Sequence, residues 1–366
     1  MKFKIEKETL LQPLQQIIGA VEKKQTMPAL SNVLIRATED AITFTATDLE
    51  IELISQLAMI IDQPGEITLP ARKLLDICKS LNNNAIIQFS INDNKALIQS
   101  SKSRFTLTTL PAADFPSLES IDNVQSITIT QNLLHDLIDK TAFAMAQQDV
   151  RYYLNGLMLE VSTNVLTAVA TDGHRLAYAK KEIDYEAVDI KQIILPRKGV
   201  LELMRLLNNS DETVTLNIGT NHLQIQFNTI QLTSKLIDGR FPDYNRVMPV
   251  ELDNIILADR EQLRAALMRA SILSNEKYRG IRLILRKNLM LLQAQNPDQE
   301  EADIEVEVDY KGDDIEIGFN VNYMLDVLSV CDSTIIQLAL HDSNSSFLLS
   351  YPDQQDAKYV IMPMRL

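Results

Sequence analysis

Asp172 and His174 stand two residues apart in the string Ala170-Thr171-Asp172-Gly173-His174-Arg175-Leu176, and a carboxylate beside an imidazole can begin a general base. The rest of such a machine is missing. No Ser or Cys sits in a nucleophile motif such as G-x-S-x-G, and the 4 histidines show no zinc-ligand spacing. Cys78 and Cys331 each stand alone in apolar helical stretches, as small core residues of a reducing compartment and not as a disulfide or metal pair. The 10 glycines are fewer than half an average share, and neither a Walker A loop nor a dinucleotide fingerprint occurs. Asp172 also has a mate. Ala46-Thr47-Asp48 lies 124 residues earlier with no histidine after it, so the shared Thr-Asp pair points to a turn and not to catalysis. No catalytic residue, cofactor or metal is expected.

The offset of 124 organises the chain. Ala294-Gln295-Asn296 is a weaker third copy, again 124 residues on. After the copies come helical trios, Leu75, Cys78 and Leu81, then Leu201, Met204 and Leu207, then Leu325, Leu328 and Cys331, whose spacing predicts one buried stripe per helix. Leu69-Pro70-Ala71-Arg72-Lys73 and Leu195-Pro196-Arg197-Lys198 enter the first two, with proline suited to a helix start. Asp114-Phe115-Pro116 matches Arg240-Phe241-Pro242. Each repeat opens with a short strand and an amphipathic helix, carrying Leu10, Leu14, Ile17 and Val21, then Leu133, Leu137 and Met145, then Leu263, Leu267 and Ala270. Alternating runs such as 42–46, 86–91, 213–218, 223–227 and 335–340 read as strands. The chain is therefore expected to be α+β, three copies of one domain at 1–125, 126–252 and 253–366, with helices over one face of mainly antiparallel sheets. No apolar run approaches a membrane span, and the charged N-terminus lacks an export signal core.

A net charge of −14 disfavours nucleic acid when taken whole. The helical segments 7–24, 71–81, 131–151, 196–208, 259–280 and 320–331 hold 16 of the 35 Lys/Arg but only 11 of the 49 Asp/Glu. They carry +5, and the remainder carries −19. The net value therefore says little about a helical face.

Longer strings point to a family. Residues 146–156 (AQQDVRYYLNG), 170–176 (ATDGHRL), 238–244 (DGRFPDY), 273–277 (LSNEK), 110–116 (LPAADFP) and 359–366 (YVIMPMRL) closely resemble the bacterial DNA polymerase III β-subunit family of sliding clamps, over the whole chain. The resemblance implies three tandem DNA-clamp domains with antiparallel sheets outside and two helices per domain inside. Two such chains would form a head-to-tail homodimer, a closed cytoplasmic ring that slides on double-stranded DNA without reading sequence. It implies a non-catalytic processivity factor tethering the polymerase α subunit, the clamp loader, other polymerases and repair proteins through short linear motifs. A DNA-independent peptide-binding scaffold is the alternative.

Residue roles follow from the same resemblance. DNA would be faced by Lys23, Lys24, Arg72, Gln148, Tyr152, Tyr153, Arg197 and Lys198. The partner-peptide pocket would be Leu154, Thr171, Gly173, His174, Arg175, Leu176, Pro242, Arg246, Val247, Ser346, Val360, Met362, Pro363, Met364 and Arg365, with Asn344 making its rim more polar. Aliphatics and adaptable methionines suit apolar anchors. Self-association would join Phe105 and Leu107, flanked by Lys73, Lys102 and Arg104, to Ile272 and Leu273, flanked by Asp298, Glu300, Glu301 and Asp303.

Overall fold

The computed structural model describes residues 1–22, 27–118, 121–122, 124–187, 189–249, 252–352 and 356–365. The chain packs as two compact units, residues 1–132 with 201–236 and residues 133–200 with 237–366. Six α-helices lie among the described residues: α1 (Lys7–Ile17), α2 (Ala71–Ser80), α3 (Gln131–Asp139), α4 (Arg197–Leu206), α5 (Arg260–Ile272) and α6 (Val321–Val330). The strand pairings described are all antiparallel.

The first unit holds a four-stranded sheet in the order Lys2–Glu6, Ile86–Asn92, Lys95–Ser100, Ser103–Thr108. Its second sheet has eight strands, Gly65–Pro70, Asn32–Ala37, Ala41–Thr47, Ile51–Ala58, Ile230–Lys235, His222–Phe227, Thr213–Ile218 and Gln125–Thr130. The second unit repeats the plan. Eight strands run Lys191–Pro196, Gly156–Ser162, Val165–Thr171, Arg175–Glu182, Ala357–Ile361, Phe347–Ser350, Ile335–Leu340, Asn254–Asp259; four run Glu301–Glu307, Leu289–Gln295, Gly280–Arg286, Ile315–Asn320. Each long sheet joins four strands of one sequence repeat to four of the next. The joins are main-chain ladders, Ile51 opposite Ser234 and Arg175 opposite Ile361. The compact units therefore cut across the sequence repeats, because a continuous ladder binds neighbouring repeats more closely than chain order does.

Leu10, Leu14 and Ile17 of α1 are buried, at the spacing of one helical face. Each such side chain stabilises by about 1.5–3 kcal/mol. Side chains cap α5 and α6: Asp259 accepts from the Gln262 amide at 2.8 Å, and Asn320 from the Asn322 amide at 2.9 Å.

Three expectations need correction. The segment 131–151 is not one helix: α3 ends at Asp139, and Met145 lies beyond a separate 3-10 turn, Ala142–Ala144. The first helix likewise stops at Ile17, with Val21 past a 3-10 turn. The stripe read as Leu201 and Met204 is displaced, since Leu201 is 47% exposed while Val200, Leu203, Leu206 and Leu207 are buried. A three-residue spacing fits two adjacent stripes, and tertiary burial selects between them. On the observed boundaries the six helices still carry 10 Lys/Arg against 7 Asp/Glu.

Candidate functional site

The Thr-Asp repeat builds a turn. Thr47 Oγ1 donates to the Ile51 carbonyl at 2.8 Å, and Thr171 Oγ1 to the Arg175 carbonyl at 2.5 Å. Asp48 Oδ1 accepts from the amides of Glu50 and Ile51, both at 2.9 Å, and Asp172 Oδ1 from those of His174 and Arg175 at 2.9 and 3.0 Å. In the third repeat Asn296 Oδ1 accepts from the Asp298 and Glu300 amides at 3.0 Å each. Such short side chains satisfy turn amides that would otherwise go unpaired. Asp172 is further held by Arg175 Nε at 3.1 Å, so its carboxylate is committed to structure and is not poised as a base.

In the second unit this turn rims an apolar cavity of about 180 Å³. Leu154, Leu176, Val360 and Met362 line it together with Thr171, Gly173, Arg175, Pro242 and Val247. Phe241 and Tyr244 belong to the buried cluster beneath, with Met158, Val169 and Leu348. The Tyr244 ring sits 5.7 Å from Tyr178, and its hydroxyl meets Glu160 Oε1 at 3.3 Å. Burial, and then the Glu160 charge, push the Tyr244 phenol up to about 12. The Met362 amide donates to the His174 carbonyl at 2.9 Å, extending the ladder one residue past the last strand and seating the methionine at the rim.

Arg175 ties this wall to α6. Its guanidinium meets Asp326 Oδ2 at 2.5 Å and the Phe143 carbonyl at 2.8 Å, and lies over the rings of Tyr323 and Phe143, 4.6 and 5.3 Å from their centroids. Arg151 crosses the mouth. It pairs with Asp149 at 2.9 Å and donates to the Asp172 carbonyl at 3.2 Å. Hydrogen bonds from Arg151 hold the Asp149 carboxyl down at about 2. Gly173 has φ +88°, and a Cβ there would come within 2.9 Å of the Arg151 guanidinium. Both conditions favour glycine.

Nine of the expected pocket residues line this cavity. The others do not. His174 is exposed on the turn, Arg246 is exposed and paired with Asp243 at 3.1 Å, and Ser346 touches Met362 Sδ at 3.3 Å. The Met364 amide donates to the Gly318 carbonyl at 2.7 Å, carrying Met364 and Arg365 to a separate groove with Tyr278, Arg282 and Gln293, and Pro363 lies between. Tyr153, expected to face DNA, is half-buried and lines the apolar cavity. Arg151, Phe241 and Tyr244 were missed as lining. Phe241 had a signal, for its repeat mate Phe115 is buried with Leu34 and Ala112.

Among the remaining DNA-facing expectations, Lys23 and Lys24 lie outside the described residues. Arg72 donates to the Val21 carbonyl at 3.3 Å and Arg197 to the Met145 carbonyl at 3.2 Å, so each pins the segment that follows the first helix of its repeat. Gln148 and Tyr152 are exposed, and Lys198 is half-buried. For self-association, Ser103–Thr108 and Glu301–Glu307 are edge strands, and Ile272 is 75% exposed. Lys73, Lys102 and Arg104 are exposed and make no ion pair among the described residues.

Comparison with known proteins agrees from end to end. Models of the DNA polymerase III beta subunit match in order, its N-terminal domain over residues 1–119, central domain over 128–243 and C-terminal domain over 245–365. The beta sliding clamp of Pseudomonas aeruginosa is 51% identical and that of Escherichia coli K12 44%, each over 100% of both chains. The solved sliding clamp of Pseudomonas aeruginosa bound to griselimycin superposes with a TM-score of 0.96 at 51% identity, covering 100% of both chains. Three repeats, each with two helices and shared sheets, are thus three tandem clamp domains. The chain belongs to the DNA polymerase III beta subunit family, the sliding clamps, whose role in replication is processivity and not catalysis.

Proposed function

We propose that two copies of the chain join head to tail into a cytoplasmic ring around double-stranded DNA, with clamp domains at 1–125, 126–252 and 253–366. The two open edges carry this reading. Ser103–Thr108 holds, in its repeat, the sheet position of Ile230–Lys235 and Ala357–Ile361. Glu301–Glu307 holds that of Ile51–Ala58 and Arg175–Glu182. Pairing the open edges between copies makes a third junction by the rule that makes the two within the chain, and it hides edges that otherwise invite aggregation. Phe105 and Leu107 would meet Ile272 and Leu273, while Lys73, Lys102 and Arg104 would face Asp298, Glu300, Glu301 and Asp303.

Inside the ring, Arg72, Gln148, Tyr152, Arg197 and Lys198, with Lys23 and Lys24, offer charge and hydrogen bonds to phosphates without reading bases. The cavity rimmed by Leu176, Val360 and Met362 receives short apolar segments of the polymerase α subunit, the clamp loader, other polymerases and repair proteins. Among the described residues no helix is long and apolar enough to cross a membrane.

The test is topological. A protein held only by several phosphate contacts loses about 10³–10⁵ in affinity between 50 and 200 mM salt, whereas a closed ring leaves only by opening or by reaching an end. Loaded by an ATP-dependent clamp loader onto nicked circular DNA, the protein should stay bound through high-salt gel filtration and be lost once the DNA is linearised. Equal retention on both forms would overturn encirclement. Retention on neither would favour the DNA-independent scaffold.

A further inference from the structure

The first unit contains a groove at the same place in its own junction. The Lys235 amide donates to the Glu50 carbonyl at 2.9 Å, as the Met362 amide does to His174. Leu49 follows Asp48 as Gly173 follows Asp172. Around this turn lies a groove of about 360 Å³, lined by Leu49, Ser117, Leu118, Asn221, His222, Lys235 and Leu236. Its contents differ from those of the apolar cavity. Three leucines form the apolar wall, and Lys235 is the one charged residue of the lining, exposed and without an ion pair among the described residues.

His222 supplies a second and independent observation. The residue is only 7% exposed, and its Nε2 is buried with no hydrogen-bond partner among the described residues. An unpaired buried ring nitrogen costs free energy unless something binds it. Two neighbouring carboxylates are engaged elsewhere: Asp48 accepts from two turn amides, and Glu52 from the Leu118 amide.

We infer that this groove is a second peptide site, taking a short segment in which an aliphatic side chain stands next to a carboxylate. The side chain packs on Leu49, Leu118 and Leu236, and the carboxylate lies between the Lys235 ammonium and the His222 edge. The inference stands independently of ring closure, because the whole groove lies within one chain.

N-acetyl-leucine carries both groups and serves as the probe. The full-length protein is labelled with ¹³C at His Cε1, giving four resonances to follow. Titration should shift His222 saturably and leave His174, exposed on the turn beside the other cavity, in place. N-acetyl-leucinamide, lacking the carboxylate, should bind about tenfold more weakly, the loss expected for a hydrogen bond to a charged group. Lys235→Met, which installs the residue of the other junction at an exposed position, should abolish the preference for the acid. No saturable shift at His222, equal binding of acid and amide, a preference unchanged in Lys235→Met, or a shift of His174 alone would each overturn the assignment.

Discussion

Two junctions in this chain share a frame and differ in what it holds. Around Thr47-Asp48 and around Thr171-Asp172 the same side chains close the same turn, and the same amide-to-carbonyl bond carries the incoming strand past it. Inside the frame Leu49 stands for Gly173, Ile51 for Arg175, Glu52 for Leu176 and Lys235 for Met362. The first junction buries Ile51 where the second has a guanidinium shared among Asp172, Asp326 and the Phe143 carbonyl. It carries at Glu52 a carboxyl pushed up by burial, against the lowering effect of the Leu118 amide and Arg36, where the second has an apolar wall. The difference teaches that the frame depends on the Thr-Asp turn and the ladder, while the residues between them remain free to set the charge and polarity of the hollow beside it.

The largest way to break the comparison is Arg175→Ala. Removing one partner of a buried ion pair costs about 3–5 kcal/mol, and about 3 is expected here because Asp326 is half-exposed and can rehydrate. Urea unfolding followed by circular dichroism should show it. A loss below about 1 kcal/mol would mean that Arg175 does not tie the second junction together.

Exchanging the rim residue sharpens the comparison. Met362→Lys places the cation of the first junction at the mouth of the apolar cavity. Affinity for a fluorescent peptide of the type Gln-Leu-x-Leu-Phe should fall by about 30-fold or more, the effect of losing one central anchor contact of about 2 kcal/mol. Fluorescence anisotropy reads this, and undiminished binding would place the peptide elsewhere.

The smallest effects lie at the turn itself. Gly173→Leu should destabilise by roughly 1–2 kcal/mol, since φ +88° disfavours a side chain and Arg151 occupies the Cβ direction. Leu49→Gly, at φ +75°, should change stability by less than about 1 kcal/mol, because relief of backbone strain is offset by lost leucine packing and added chain entropy. Thermal unfolding of the two variants would expose the asymmetry, and equal effects would argue against it.

Much of this was legible in the chain. The 124-residue offset disclosed the turn, and Asp48 without a following histidine already argued against catalysis by Asp172. The long strings at 170–176, 238–244 and 359–366 led to the cavity, and nine of the expected pocket positions do line it. What escaped has physical causes. Arg151 reaches the mouth because a loop folds back, a contact 21 residues apart that no periodicity encodes. Met364 and Arg365 leave the cavity because the Met364 amide pairs with Gly318 instead. Leu201 and Val200 are equally apolar, and only the neighbouring layer decides which turns inward.

By itself the sequence determined three repeats, their α+β character, the turn residues and the concentration of basic charge on helical segments, all consequences of local spacing and side-chain type. Tertiary structure alone decided that each long sheet runs across two repeats, since strand pairing is chosen by edges meeting in space and not by order in the chain. It also decided that Lys235 and Met362 are equivalent although they lie 127 residues apart, not 124. Their equivalence rests on one hydrogen bond each, to Glu50 and to His174, and a backbone ladder keeps that geometry through insertions that break any count along the sequence.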